Sequence, residues 1–505
     1  MYTVIFNRLH GIIQQLTVCK AVGLYSILLQ SDFGEIARLV KTVDYRSALM
    51  YNSIYIFFLT EVNMHKKIKI TLCAVLCASM LAGCADNSAS GGSAVSSDST
   101  SDTQTTSSVS ESTDSSSDTS SETSSIDESK LTEEQIYDNM VERSLMDLGN
   151  LGRMSKFIGK LESKQEVTIA FIGGSITEGL TAGPEKCWAK LTYDRLCEKY
   201  PDTKINYVNA GLSGTPSVLG NIRLQRDVLD HKPDMVFVEF AVNDGNDQIY
   251  KDSYDAMVRK ILSQENQPAV ALYFTVIKSG HTCEEYMSQV GKAYGLPMVS
   301  LNNVLSHEFE TGRMKWEDYS DDESHPNEWG HKMTADLIMN MFDKATEKIK
   351  TMGDVTISPL PDTWVYSDRF ADMTFIDRTH SSDKLKISST GTFDTEKETL
   401  TSFPDGWSYK GKPSECEPME FEFTGKNLML VYKCANSKVY GSLEFTVDGE
   451  KYTTIATSAS DGWNNPVATL AYSGAEGTHK VSIKPVTQNG EDKMTYVEIL
   501  GFGVA

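Results

Sequence analysis

The sequence predicts an α/β domain with a parallel sheet, followed by an all-β domain of sandwich or jelly-roll type. Three observations carry this. Short apolar runs alternate with amphipathic segments between about residues 131 and 353. Several of those runs are apolar on successive residues, as in Val236-Phe237-Val238-Glu239-Phe240 and Ala269-Val270-Ala271-Leu272-Tyr273-Phe274, which is the pattern of strands covered on both faces. From about residue 354 to 505 the helical periodicity gives way to short strand-like runs separated by turn residues.

In the first region the predicted strands are Val167–Gly173, Ile205–Asn209, Met235–Val242, Ala269–Ile277 and Met298–Leu301. Helical patterns fall between them at Glu185–Lys199, Ser217–Asp230, Tyr250–Gln264 and Cys283–Tyr294, with a last helix at Glu328–Lys350. In such a sheet the functional loops gather at the C-terminal ends of the strands. In the second region the predicted strands are Glu420–Phe423, Asn427–Tyr432, Gly441–Thr446, Lys451–Ile455, Val467–Tyr472, Lys480–Pro485 and Thr495–Phe502, and Val447-Asp448-Gly449-Glu450 reads as a hairpin turn.

The segments before residue 131 read differently. Met64-His65-Lys66-Lys67-Ile68-Lys69 is basic, Ile70 to Met80 is apolar but too short to span a bilayer, and Leu81-Ala82-Gly83-Cys84 follows. The order resembles a bacterial lipoprotein signal peptide over 64–83 with a lipobox, which implies cleavage before Cys84, acylation of its thiol, and anchoring to a membrane with the chain facing outward. Residues 1–63 are then expected to be an over-extended start with no domain. Residues 84–130 are mostly Ser, Thr and Asp, too poor in apolar side chains to offset ordering entropy. They are expected to be a disordered tether with a typical reach of about 40 Å.

The net charge of −22 argues against a nucleic-acid partner, since phosphate binding needs a basic surface. Beyond Cys84 the cysteines are Cys187, Cys197, Cys283, Cys416 and Cys434, with no Cys-x-x-Cys pair, so neither a disulfide framework nor a zinc site is expected. A Cys416–Cys434 bridge stays open.

The most informative stretch is Ile169-Ala170-Phe171-Ile172-Gly173-Gly174-Ser175, a buried strand ending in two glycines and a serine. Alone, this turn is equally an N-capped strand-to-helix junction, a phosphate or flavin loop, or a nucleophile facing backbone N–H donors. Three more segments fall at predicted strand ends or before the last helix: Asn209-Ala210-Gly211, Val242-Asn243-Asp244-Gly245 and Asp322-Glu323-Ser324-His325-Pro326-Asn327.

Together these four segments resemble the sequence blocks of the SGNH (GDSL-type) hydrolases, over roughly residues 135–350. The resemblance implies a three-layer flavodoxin-like domain and hydrolysis of a carboxylic ester through an acyl-serine, with neither metal nor cofactor. It assigns Ser175 as nucleophile, His325 as general base and Asp322 as its orienting carboxylate. The oxyanion donors it implies are the N–H groups of Ser175 and Gly211 and the side chain of Asn243. Two departures are Gly174 where the family often has aspartate, and Ala241 where it often has glycine. His331 is a rival base; Asp321 and Glu323 are rival carboxylates.

Trp407, Tyr409, Tyr440 and Trp463 lie in Gly/Asp/Asn-rich stretches where aromatic faces often stack on sugars, although each is equally a sandwich core residue. Trp407 and Trp463 are taken as substrate-binding candidates, because the β domain resembles carbohydrate-binding modules attached to SGNH acetylesterases. The expected partner is an acetylated polysaccharide such as xylan or mannan. The alternatives are a peptidoglycan O-acetylesterase, a lipase or lysophospholipase, and a surface glycan-binding lipoprotein.

Overall fold

The computed structural model describes residues 130–353, 355–487 and 491–505. Residues 1–63, the expected signal peptide over 64–83, Cys84 and all but the last residue of the expected tether lie outside them.

A six-stranded sheet forms the centre of the first part, in the order β1-β6-β5-β4-β2-β3. Its parallel strands are β2 (Val167–Gly173), β3 (Ile205–Gly211), β4 (Met235–Glu239), β5 (Ala269–Phe274) and β6 (Met298–Ser300). β1 (Leu145–Asp147) pairs with β6 in the antiparallel sense at one edge. β4 and β5 are buried at every position, as their unbroken apolar runs demand. One face packs on a core containing Phe171, Trp188, Phe237 and Tyr273; the other packs on Phe240, Tyr254, Met257 and Met287.

Predicted and observed elements agree within a few residues at each strand and helix of the α/β region. The helices at Glu133–Arg143, Gly152–Glu162 and Leu301–Glu310 add to those predicted. Leu301–Glu310 escapes notice because it begins on the residue after β6, leaving no turn signal between strand and helix.

The second part is an antiparallel β structure of β7 (Thr374–Ile376), β8 (Leu385–Ser389), β9 (Trp407–Gly411), β10 (Met419–Ala435), β11 (Ser442–Val447), β12 (Glu450–Ala456), β13 (Trp463–Val486) and β14 (Thr495–Val504), in the order β12-β11-β13-β10-β14-β7, with β8 paired to β10 and β9 to β14. It merges strands that the sequence separates. Met419–Ala435 is one strand, β10, and Trp463–Val486 is another, β13. Register shifts at Gly425/Asn427, Leu428/Met429 and Cys434/Ala435 let these long strands bend without breaking. Cys187, Cys197, Cys283, Cys416 and Cys434 are free thiols.

The helix Ser217–Asp227 follows the loop after β3 and packs against the second part. Val218, Leu219 and Ile222 pack with Phe370, Met429, Val431 and Leu500. On the sheet side, its buried Arg223 donates to the carbonyls of Gly173 (3.1 Å) and Ala210 (2.7 Å) and pairs with Asp227 (3.0 Å). One guanidinium thus ties together the C-terminal ends of β2 and β3.

Candidate active site

Ser175 follows β2 and opens a single helical turn, Ser175–Glu178. Tight packing explains the two glycines before it. A Cβ on Gly173 would sit 2.3 Å from Thr177 Oγ1 and 2.5 Å from the Glu239 carbonyl; one on Gly174 would sit 2.1 Å from Asn243 Oδ1. The residue before Ser175 is thus packed directly against the Asn243 carboxamide.

His325 Nε2 lies 2.9 Å from Ser175 Oγ, and His325 Nδ1 lies 2.7 Å from Asp322 Oδ2. The other oxygen of Asp322 accepts the backbone N–H groups of Ser324 and His325, both at 2.6 Å. Partial burial raises the Asp322 pKa, but the His325 N–H, its imidazole and the Ser324 N–H outweigh that, leaving the carboxyl below its ordinary value. A carboxylate that stays ionised fixes the imidazole with its proton on Nδ1 and Nε2 free to accept from Ser175.

The loop that presents this pair is held from several sides. Trp316 Nε1–H donates to the Asp322 carbonyl (2.5 Å), and Ser320 Oγ donates to the carbonyls of Asp322 (3.0 Å) and His325 (2.5 Å). Thr181, a β-branched residue at φ 80°, donates its hydroxyl to the Pro326 carbonyl (2.8 Å), linking the serine's loop to the histidine's. The rivals go elsewhere. His331 is buried and accepts the Trp188 N–H at 3.2 Å, and burial pushes its pKa down to about 4. Glu323 pairs with Lys278 (3.3 Å), and Asp321 is exposed.

The expected oxyanion donors need one correction. The Gly211 N–H is engaged by Asn209 Oδ1 at 2.9 Å, so it cannot also serve an oxyanion. The next two amides are also engaged, Leu212 by the Gly173 carbonyl and Ser213 by Glu178 Oε2. The first amide of this loop without a partner among the described residues is that of Gly214, which turns through a left-handed φ of 68°. The signal was the glycine repeat in Gly211-Leu212-Ser213-Gly214: the first glycine is required by packing, since a Cβ there would meet the Glu178 backbone nitrogen at 2.1 Å. Ser175 N–H, at a helix N-terminus, has no intrahelical partner. Asn243 keeps a buried, unpartnered Oδ1 beside Gly174.

Of the aromatic candidates, Trp407 is a second correction. It lies in β9 (Trp407–Gly411), is 1% exposed and packs against Phe502. Tyr409 and Tyr440 are buried too, their hydroxyls donated to the Lys412 carbonyl and to Glu498. The Gly-rich flanks that suggested surface loops are strand ends. Trp463 is 56% exposed, and its indole edge rests on Gly214: a Cβ there would be 2.9 Å from Trp463 Cζ2. A bulge at Cys434/Ala435 and a left-handed Asn464 set this side chain outward. The β domain therefore places an exposed aromatic on the loop after β3, whose Ser213 N–H bonds Glu178 in the helical turn that Ser175 opens.

Residues 171–333 match the GDSL-like Lipase/Acylhydrolase family model. A curated arylesterase of Vibrio mimicus is 31% identical over 83 residues, which is 16% of this chain and 40% of that protein's length. Among solved structures, a two-domain esterase (CEX) active on acetylated mannans, crystallized with mannopentaose, superposes with a TM-score of 0.62 at 24% identity, over 72% of this chain and 97% of its own. An acetyl xylan esterase, AlAXEase, covers 34% of this chain and 98% of its own at 20% identity and a TM-score of 0.30. The two-domain arrangement, an α/β domain followed by a β domain, is thus a known fold.

Proposed function

We propose that this chain, whose α/β domain is a GDSL-like acylhydrolase domain, is an outward-facing, lipid-anchored serine esterase that removes O-acetyl groups from polysaccharide. The observation that carries the chemistry is the unbroken chain Ser175 Oγ–His325–Asp322, at 2.9 and 2.7 Å. A serine hydroxyl is a weak nucleophile until a base takes its proton during attack. His325 Nε2 accepts that proton while the Ser175–acyl carbon bond forms, then gives it to the departing sugar hydroxyl. Asp322 stabilises the imidazolium. The oxygen that turns negative in the tetrahedral intermediate is met by Ser175 N–H, Gly214 N–H and the Asn243 side chain, each donor worth roughly 3–4 kcal/mol of transition-state stabilisation. Water, deprotonated by His325, then repeats the sequence on the acyl-enzyme and releases acetate.

The substrate class rests on two supports. The likeness to the acetylated-mannan esterase extends over both domains. Trp463, brought by the β domain to the loop bearing Gly214, offers a flat apolar face where a sugar ring would lie beside the scissile ester. The lipobox and tether support a cell-surface location.

The test is acetate release by residues 131–505 from acetylated mannan, acetylated xylan and O-acetylated peptidoglycan. Release from mannan or xylan that Ser175→Ala abolishes is expected. Activity confined to peptidoglycan, or to long-chain acyl esters, would overturn the substrate assignment. Retention of acyl label by full-length chain and its loss in Cys84→Ala tests the anchor.

A further inference from the structure

Asp244 follows the oxyanion residue Asn243 and has no part in the chain of proton transfer. Its carboxylate is buried yet crowded with donors. Oδ1 accepts the Ser217 N–H at 2.6 Å; Oδ2 accepts the Ser217 hydroxyl at 2.5 Å and the Tyr286 hydroxyl at 2.7 Å. Ser217 is the first residue of the helix Ser217–Asp227, so the carboxylate also meets the positive end of that helix. The Asp244 carbonyl is engaged as well, lying 3.0 Å from His281 Nε2 and accepting the Cys283 thiol at 3.2 Å.

Two short spans leave this knot toward the site. In one direction the chain passes to Asn243, whose carboxamide covers Gly174. In the other, Ser217 is three residues from Gly214, and the intervening turn is tightened by the Thr215 hydroxyl donating to the Leu212 carbonyl at 2.7 Å. The two loops come from different strands, β4 and β3, and these bonds of Asp244 to Ser217 join them directly.

We infer that Asp244 is a positioning residue that holds Asn243 and Gly214, donors on separate loops, in one rigid frame around the oxyanion. The inference rests on the reading of Ser175 as the acyl-accepting serine. A carboxylate is suited to the task because both of its oxygens accept, whereas an amide of the same shape presents N–H groups to one side. Asp244→Asn keeps the volume and opposes an NH2 to a donor, which frees one loop to drift. Misplacing a catalytic donor by about 1 Å can cost on the order of 100-fold in rate.

The experiment measures kcat and KM for p-nitrophenyl acetate at about pH 8.5, where both Asp244 oxygens accept, normalised to folded protein, for wild type, Asp244→Asn, Asn243→Ala and the double variant, with Tyr286→Phe as a milder loss of one donor. The expected result is a fall in kcat of about 10- to 100-fold for Asp244→Asn with KM within about 2-fold, and a fall of about 3- to 10-fold for Tyr286→Phe. In the Asn243→Ala background the same Asp244→Asn change should cost clearly less, because one of the two donors it positions is already gone. Equal costs in both backgrounds, or losses in melting temperature with kcat unchanged, would overturn the positioning role. If wild type neither hydrolyses the ester nor is labelled at Ser175 by a fluorophosphonate, the esterase reading itself fails. Where Asp244→Asn does not fold, Tyr286→Phe decides.

Discussion

Gly174 and Asn243 pack so closely that the position of a β-carbon at Gly174 lies 2.1 Å from Asn243 Oδ1. The residue before Ser175 thus sets where the Asn243 carboxamide sits. Gly174→Ala should push the carboxamide away from Ser175 and lower kcat by about 10- to 100-fold, with a smaller change in KM. Steady-state kinetics on p-nitrophenyl acetate check this. Wild-type kcat in Gly174→Ala would mean that Asn243 can move freely without loss, and that it donates little to the oxyanion.

Asp244 gives stability a pH dependence that runs opposite to the usual carboxylate. Burial first, with the nearby Glu239 charge adding to it, pushes its pKa up to about 7 against the donors from Ser217 and Tyr286. Tyr254, Tyr250 and Cys283 face the same carboxylate, and their own ionisation is pushed upward as well, so they stay neutral across this range. The unfolded chain releases the Asp244 proton near pH 4 and the folded one near pH 7. The contribution is complete below about pH 4 and is lost as pH rises through about 7. Melting temperature of wild type should fall more steeply from pH 5 to pH 7.5 than that of Asp244→Asn. Parallel curves would contradict the assignment.

Trp463 should discriminate polymer from small ester. If its exposed indole supports a sugar ring, Trp463→Ala raises KM on acetylated mannan by about 2- to 10-fold, with a much smaller effect on p-nitrophenyl acetate, since loss of one aromatic stacking partner costs on the order of 0.5–1.5 kcal/mol. Equal effects on both substrates would show that Trp463 acts through Gly214 and the loop, not through the sugar.

The α/β architecture was legible because β4 and β5 are apolar at successive positions and buried on both faces, a pattern few other folds use. Ser175, Asp322, His325 and Asn243 stand out because each sits in a short block with a glycine or a turn residue, at a strand end for Ser175 and Asn243 and before the last helix for Asp322 and His325. The sequence points to Gly211 as a donor because a backbone N–H carries no side-chain signature. Only the hydrogen bond to Asn209 Oδ1 shows that it is occupied. Trp407 and Trp463 share the same local texture, Asp-Gly-Trp in both cases. What separates them is long-range: β9 pairs with β14 and turns Trp407 into the core, while the bulge opposite Trp463 turns it out. Asp244 gave no signal because its partners Ser217 and Tyr286 are 27 and 42 residues away.

Glu239 is the remaining buried acid at the site, and it acts beneath the serine. Oε2 accepts the Thr177 hydroxyl at 2.9 Å and Oε1 accepts the Thr275 hydroxyl at 2.7 Å. Thr177 belongs to the same helical turn as Ser175, and Thr275 directly follows β5, so this carboxyl joins the nucleophile's turn to the sheet. Burial raises its pKa, while the two threonines, the Gly174 N–H and the His325 charge oppose the rise. A hydroxyl can rotate to accept as well as donate, so Glu239→Gln can keep both contacts, one of them reversed. That variant should stay folded with kcat within about 10-fold of wild type, whereas Glu239→Ala leaves two buried hydroxyls unpaired over a cavity and should lose about 2–4 kcal/mol of stability. Denaturant unfolding of the two variants separates the cases. If Gln destabilises as much as Ala, the carboxylate charge and not the pair of hydrogen bonds is what the site requires.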